Sequence, residues 1–192
     1  MNLSLTVKLL NKEERKNTYK YCMKKDFPKN ELRPLHMIEA LIDKGNYYTY
    51  GVFHENQMIA YAYFWEEKEK EILLFDYFAV LPDLRNQGYG TASMKVILDA
   101  CKEKTGVILE AENPDRAETD QEKETRLRRI RFYEKCGLFM SEVRILLFGV
   151  EYSMMYRNLA GIEVEKEIVS VMQHLYKKTL PKPIYEKMLK IL

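Results

Sequence analysis

Residues 71–102 read EILLFDYFAVLPDLRNQGYGTASMKVILDACK, and their order decides the fold. From Ile72 to Val80 the residues are apolar or aromatic apart from Asp76, the composition of a mostly buried strand. Pro82 and Asp83 stop it. Arg85-Asn86-Gln87-Gly88-Tyr89-Gly90 follows, then a helix with Met94, Ile97, Leu98 and Cys101 on one face, spaced i, i+3, i+4, i+7. A strand, a glycine-bearing loop and a helix N-terminus in that order build an anion site. Successive loop amides and the unpaired N–H groups of the first helical turn converge on one spot and favour negative charge there. Gly88 and Gly90 let a phosphate approach where a Cβ would block it.

Gly-x-Gly turns also occur at ordinary strand–turn–helix corners, so the surrounding residues carry the weight. No G-x-G-x-x-G is present, since Thr91, Ala92 and Ser93 follow the second glycine, and no Gly-Lys-Ser/Thr ending marks a Walker loop. Arg85 through Gly90 resembles the R/Q-x-x-G-x-G/A signature of the GNAT superfamily of acyl-CoA-dependent N-acetyltransferases. Arg131-Phe132-Tyr133-Glu134-Lys135-Cys136-Gly137-Leu138 resembles that family's second motif, at a suitable separation. The resemblance implies an α/β (α+β) fold, with a mixed, mostly antiparallel sheet of about seven strands flanked by helices. It spans about residues 3–158, and a C-terminal helical extension follows.

Composition sets the outer bounds. The chain has 192 residues, 46% apolar and 31% charged, which suits one domain with a full core and excludes a disordered chain. A net charge of +2 gives no bulk drive toward nucleic acid or an anionic membrane. Cys22, Cys101 and Cys136 are widely spaced, with no C-x-x-C or Cys/His cluster, so neither a disulfide framework nor a metal site is expected. With no signal peptide and no long apolar run, a cytoplasmic location is expected.

Along the chain, Leu3, Leu5, Val7 and Leu9 alternate as a first strand. Asn11 and Glu14 form a capping-box pattern at the start of a helix that reaches about Lys25. After a loop from Asn30, Pro34 opens a second helix carrying Leu35, Ile38, Leu41 and Ile42, closed at Gly45. Tyr48–Phe53 and Met58–Trp65 read as a hairpin turned at His54-Glu55-Asn56. Val107–Glu112 is a strand, a helix from about Gln121 to Lys135 delivers Tyr133, and Leu138–Leu147 with Gly149–Tyr156 closes the sheet. Residues 1–159 are assigned to the catalytic domain and 160–192 to the tail. In that tail Ile162, Ile168, Val171, Met172 and Leu175 stripe one helix, and Tyr185–Leu192 is a last helical stretch. Packing on its own domain is the default for the tail; covering a partner in a homodimer or projecting from the domain are the alternatives.

Acetyl transfer from a thioester to an amine needs a coenzyme cradle, an oxyanion stabiliser, a base and an acid. The resemblance implies that Arg85, Asn86, Gln87, Gly88, Tyr89, Gly90 and Thr91 hold the phosphates of acetyl-CoA. It also implies that the backbone of Phe78, Ala79 and Val80 pairs with pantetheine, and that Tyr133 is the acid protonating the departing thiolate. The base is left open, because Leu74 stands where relatives often carry a Glu. Asp76 shares a strand face with Leu74 and Phe78, and Glu110 and Glu112 share another, so these three acids are candidates for the base and for an acidic acceptor site. Arg126 stands where many members of the family it resembles carry an Asn, in a helix rich in arginine. Contact of one or more of these arginines with coenzyme phosphate is one reading, and i, i+4 ion pairs with Glu122 and Glu124 on a wet helix face are the simpler. His36, His54 and His174 fall in no constellation. The function expected is transfer of an acetyl group to a primary amine of a small cationic molecule or lysine-like group. The competing reading is a non-catalytic acyl-CoA-binding sensor or complex subunit.

Overall fold

The computed structural model describes residues 4–29, 31–160 and 163–192. Leu3, Asn30 and Ile162, which the sequence assigns to a strand, a loop and a helix, lie outside them. The elements in order are β1 (Leu5–Leu9), α1 (Lys12–Thr18), a π-helical segment (Tyr19–Met23), α2 (Lys24–Asp26) and α3 (Leu35–Asp43). Then come β2 (Tyr47–His54), β3 (Gln57–Glu67), β4 (Ile72–Val80), α4 (Tyr89–Ala100), β5 (Gly106–Glu112) and α5 (Asp120–Lys135). The chain ends with β6 (Phe139–Leu147), β7 (Val150–Asn158), α6 (Val164–Thr179), α7 (Lys182–Met188) and β8 (Leu189–Ile191). The strands form one mixed, mostly antiparallel sheet in the order β1-β2-β3-β4-β5-β7-β6-β8. Two compact units divide the chain: Met1–Glu66 with Asp76–Cys101, and Glu67–Phe75 with Lys102–Leu192.

In the first unit β1 pairs antiparallel with β2, and β2 with β3. The β2–β3 turn needs both central residues left-handed, and Glu55 (φ 48°) and Asn56 (φ 66°) supply that between paired His54 and Gln57. The capping box forms as the sequence predicts: Asn11 accepts from the Glu14 amide, and the Glu14 carboxylate accepts from the Asn11 amide. The helix it starts runs on to Asp26 through the π-helical segment, a local widening of the backbone ladder. Met23, Ile38, Leu41, Tyr61, Tyr63, Phe64, Trp65, Met94 and Ile97 are buried in this unit.

In the second unit Ile72, Leu73 and Leu74 of β4 pair in parallel with Gly106, Val107 and Ile108 of β5. β5 then pairs antiparallel with β7, and β7 with β6. Phe148 (φ 49°) and Gly149 (φ 86°) make the β6–β7 turn by the same left-handed device. The tail belongs to this unit. Its helix α6 buries Val164, Ile168, Val171, Met172 and Leu175, and Gly106 lies so close that a Cβ there would meet Val164 Cγ2 at 2.2 Å.

The expected helix over Tyr185–Leu192 is corrected. α7 stops at Met188, and Leu189–Ile191 joins the edge of β6, with Leu147 opposite Leu189 and Ile145 opposite Ile191. A three-residue strand is too short to show a period of two against the helical alternative; pairing with β6 settles it.

Candidate functional site

Each unit carries some of the residues singled out in the sequence. In the first, the residues after β4 form a short 3-10 turn at Pro82–Leu84 and then the loop from Arg85. Asn86 (φ 61°) and Gly88 (φ 85°) are both left-handed, and Gly88 caps α4 without any side-chain hydrogen bond to its amides. The direction a Gly88 Cβ would take is open, with no heavy atom within 4 Å. The first turn of α4 contains no acidic side chain. Its N–H groups and positive dipole end are therefore available to an anion.

Arg85 does something the motif alone does not suggest. Its Nε donates to the Val80 carbonyl at 2.9 Å and its Nη2 to Asp26 Oδ1 at 2.5 Å. The Asp26 side chain is only 5% exposed, and its other oxygen accepts from the Tyr61 hydroxyl at 2.8 Å. Gln87 folds back as well, its Nε2 donating to the Asp83 carbonyl at 2.8 Å. Tyr89 lies beside His54, with ring centroids 6.2 Å apart.

Asp76, on β4, accepts from the Tyr47 hydroxyl and lies 3.6 Å from Arg33 Nε. The Arg33 guanidinium sits over the Trp65 ring, 4.8 Å from its centroid. The Arg33 amide donates to the Tyr77 hydroxyl (2.8 Å), which donates to the Glu31 carbonyl (2.9 Å). The segment before α3 is thus fastened by backbone bonds as well as by charge. Burial pushes the phenols of Tyr47, Tyr61 and Tyr63 well above their ordinary range, and for Tyr47 and Tyr61 the nearby carboxylates add to it.

In the second unit Tyr133 lies near the end of α5. The helix ends at Gly137 (φ 83°), where Leu138 N–H bonds the Tyr133 carbonyl at 3.1 Å. Arg157 Nη1 donates to the Cys136 carbonyl at 2.7 Å and would stand 2.8 Å from a Gly137 Cβ, so both backbone sign and space demand glycine there. Tyr133 is half-buried against Phe132, with centroids 5.3 Å apart. Burial raises its phenol, opposed in part by the Arg129 charge.

Glu110 and Glu112 share a face of β5 and both are half-buried. Glu110 accepts from the Tyr176 hydroxyl of α6 at 3.1 Å. Glu112 is held by Arg126 at 3.2 Å and Arg129 at 2.7 Å. Arg126 also donates to the Asn113 carbonyl (2.7 Å) and to Glu122 (2.7 Å), so it serves as a strut between β5 and its own helix. Arg131 pairs with Glu124. His174 does have a partner: its Nδ1 lies 3.4 Å from the buried Glu67 carboxylate, as does Lys178 Nζ. Glu67, Glu69 and His174 could together approach a metal ion, but the Lys178 ammonium already meets the Glu67 charge.

Sequence reasoning singles out the loop, Tyr133 and the three acids; it does not single out Asp26, Arg33, Tyr47 and Tyr176, which the structure places against them. Their partners lie 59, 43, 29 and 66 residues away in sequence, and no local spacing signals them.

The model of the Acetyltransferase (GNAT) family matches residues 13–138. No curated protein matches the sequence. Among solved structures, a candidate GNAT-family acetyltransferase from Bacteroides thetaiotaomicron superposes with a TM-score of 0.69 at 23% identity, covering 90% of this chain and 96% of that one. Spermidine N-acetyltransferase from Vibrio cholerae, solved with CoA and spermine, gives 0.63 at 12% identity over 81% of this chain and 96% of its own. The ribosomal-protein-S18-alanine N-acetyltransferase of Escherichia coli gives 0.60 at 16% identity over 82% and 96%. Among the described residues no helix is long and apolar enough to cross a membrane.

Proposed function

Because the chain belongs to the Acetyltransferase (GNAT) family, we propose that it moves the acetyl group of acetyl-CoA to the primary amine of a small cationic molecule or lysine-like group. The observation that carries this reading is the paired left-handed backbone at Asn86 and Gly88, opening before an uncapped α4 with empty space at the Gly88 Cβ position. The loop Arg85–Thr91 is assigned to the coenzyme phosphates, and the backbone of Phe78, Ala79 and Val80 to pantetheine.

In the chemical step the ammonium of the acceptor gives a proton to a carboxylate, directly or through water. The neutral nitrogen attacks the thioester carbon; the C–N bond forms, the C–S bond breaks, and Tyr133 supplies the proton that the thiolate takes up. The nitrogen sheds its second proton as the amide forms and, through water, that proton restores the Tyr133 phenol. Of the three acids, Asp76 and Glu112 are ion-paired with guanidinium groups. Glu110, which accepts from a phenol, is the base in this reading. Asp76 and Glu112 then serve the acceptor's charge at most in concert with their arginines.

A panel of amines offered with acetyl-CoA and followed by free-thiol release tests the proposal. Turnover of polyamines, amino sugars or lysine peptides above the hydrolysis background is expected. Binding of coenzyme with no thiol release for any amine would replace the reading with a non-catalytic acyl-CoA-binding module, and a preference for neutral or anionic acceptors would remove the cationic one.

A further inference from the structure

We infer that Asp26 is a positioning residue of the coenzyme site, acting through Arg85; this rests on the proposed assignment of the loop Arg85–Thr91 to acetyl-CoA. Asp26 is the last residue of α2, and its carboxylate is almost wholly removed from water at 5% exposure. A buried carboxylate must be paired, and this one has two donors, the Tyr61 hydroxyl and Arg85 Nη2. The same guanidinium holds the Val80 carbonyl with Nε. One planar, five-donor group thus joins the end of α2 to the last residue of β4 and the first residue of the loop.

The arrangement reverses the simplest reading of the signature arginine. A cation beside a phosphate loop is expected to contact phosphate. Here the fork is spent on Asp26 and Val80, five residues apart from the latter in sequence, and it clamps the loop at its root. The left-handed Asn86 and Gly88 follow directly, so the direction in which their amides point depends on where Arg85 is fixed. Tyr61 holds the carboxylate from its other side without touching Arg85's bond, which makes it a natural control.

The test is a double-mutant cycle on Asp26→Asn and Arg85→Gln, with Tyr61→Phe alongside. Acetyl-CoA affinity is measured by calorimetry at low and high salt, with kcat, the KM for each substrate and the melting temperature. Asparagine keeps an oxygen for the Tyr61 hydroxyl, and Arg85 is 46% exposed, so neither change removes core packing. Each single variant is expected to weaken acetyl-CoA binding about tenfold, the scale at which residues behind a contact group act. The double variant should be no weaker than the worse single one. The salt dependence of binding and the KM for the amine should match wild type. Tyr61→Phe should lower the melting temperature and leave coenzyme affinity alone.

Unchanged or tighter binding by Asp26→Asn, with a loss in Arg85→Gln and a flatter salt dependence, would overturn the inference: Arg85 would then contact phosphate directly. Equal loss of coenzyme affinity in Tyr61→Phe, in step with melting temperature, would overturn it in favour of a purely structural role. Wild-type protein that binds no acetyl-CoA would overturn the coenzyme assignment itself, and this inference with it.

Discussion

The hydroxyl of Tyr176, in the C-terminal helix α6, donates to Glu110 of β5 at 3.1 Å. The carboxylate proposed as the base is therefore oriented by a residue that lies beyond the family match at residues 13–138. Glu110→Gln should lower the maximal rate by about 10²–10⁴-fold, the usual range for general acid–base assistance, with acetyl-CoA affinity unchanged. Tyr176→Phe keeps the ring and loses one hydrogen bond, so its stability cost should be about 0.5–1.5 kcal/mol. Steady-state rates and denaturant melts read both. A rate loss under about threefold in Glu110→Gln, well short of that range, would take the base role from Glu110.

Removal of the tail after Leu159 should be far more damaging than loss of that hydrogen bond. Val164, Ile168, Val171 and Met172 are fully buried, and Leu175 nearly so. A buried aliphatic side chain contributes about 1.5–3 kcal/mol, so five of them match the whole stability of an ordinary domain, about 5–15 kcal/mol. The truncated chain should be insoluble or lack a cooperative melt. A soluble product with the wild-type melting temperature would show that residues 160–192 fold apart from the rest, as a separate tail.

Tyr63 offers a change of opposite sign. It is fully buried, and its hydroxyl has no hydrogen-bond partner among the described residues. Tyr63→Phe removes the unpaired polar group and keeps the ring, so stability at neutral pH should hold or rise by about 1 kcal/mol. The pH dependence follows from the raised phenols of Tyr47, Tyr61 and Tyr63. In the unfolded chain a phenol ionises near pH 10, while in the fold these three keep their protons. Above that pH the unfolded state binds fewer protons, and stability falls as pH rises. Below it their contribution is fully present. Urea midpoints across the alkaline range should show this fall, less steeply in Tyr63→Phe. A variant that melts earlier than wild type at neutral pH would mean that the hydroxyl is bonded after all.

Much of the fold is legible in the sequence because its signals are local. Ile72–Val80 is nine residues of near-continuous apolar chain ended by proline, and Asn11 with Glu14 marks a helix start within four residues. Of the α5 arginines, Arg126 does pair with Glu122 one turn back, but it is buried, while Arg129 reaches Glu112 on β5 and Arg131 reaches Glu124 seven residues back. What the sequence hides is set by tertiary approach. Asp26 sits before a Phe-Pro break with no local signal, yet its side chain is buried under Arg85, 59 residues on. Leu189–Ile191 becomes a strand because the edge of β6 is there to receive it. The open space at Gly88 is a property of packing, and only the left-handed turn around it could be anticipated from glycine.

The enzyme reading depends most on Tyr133. Its backbone carbonyl is fixed by the Leu138 amide at the helix end and its ring lies against Phe132, so the side chain has a defined place without its hydroxyl. Tyr133→Phe should therefore melt within a degree or two of wild type, about 0.5 kcal/mol or less. Burial raises the phenol above its ordinary value of about 10, and Arg129 only partly offsets this. The proton is then held throughout the physiological range, and the acid form is lost only on the strongly alkaline side. The maximal rate with the best amine should fall by about 10²–10⁴-fold in Tyr133→Phe, with acetyl-CoA affinity unchanged. The remaining rate should also lose any alkaline decline that wild type shows above about pH 10. Wild-type rates in the variant would leave solvent to protonate the thiolate. A large fall in melting temperature would make the hydroxyl a structural group and move the search for the acid elsewhere on α5.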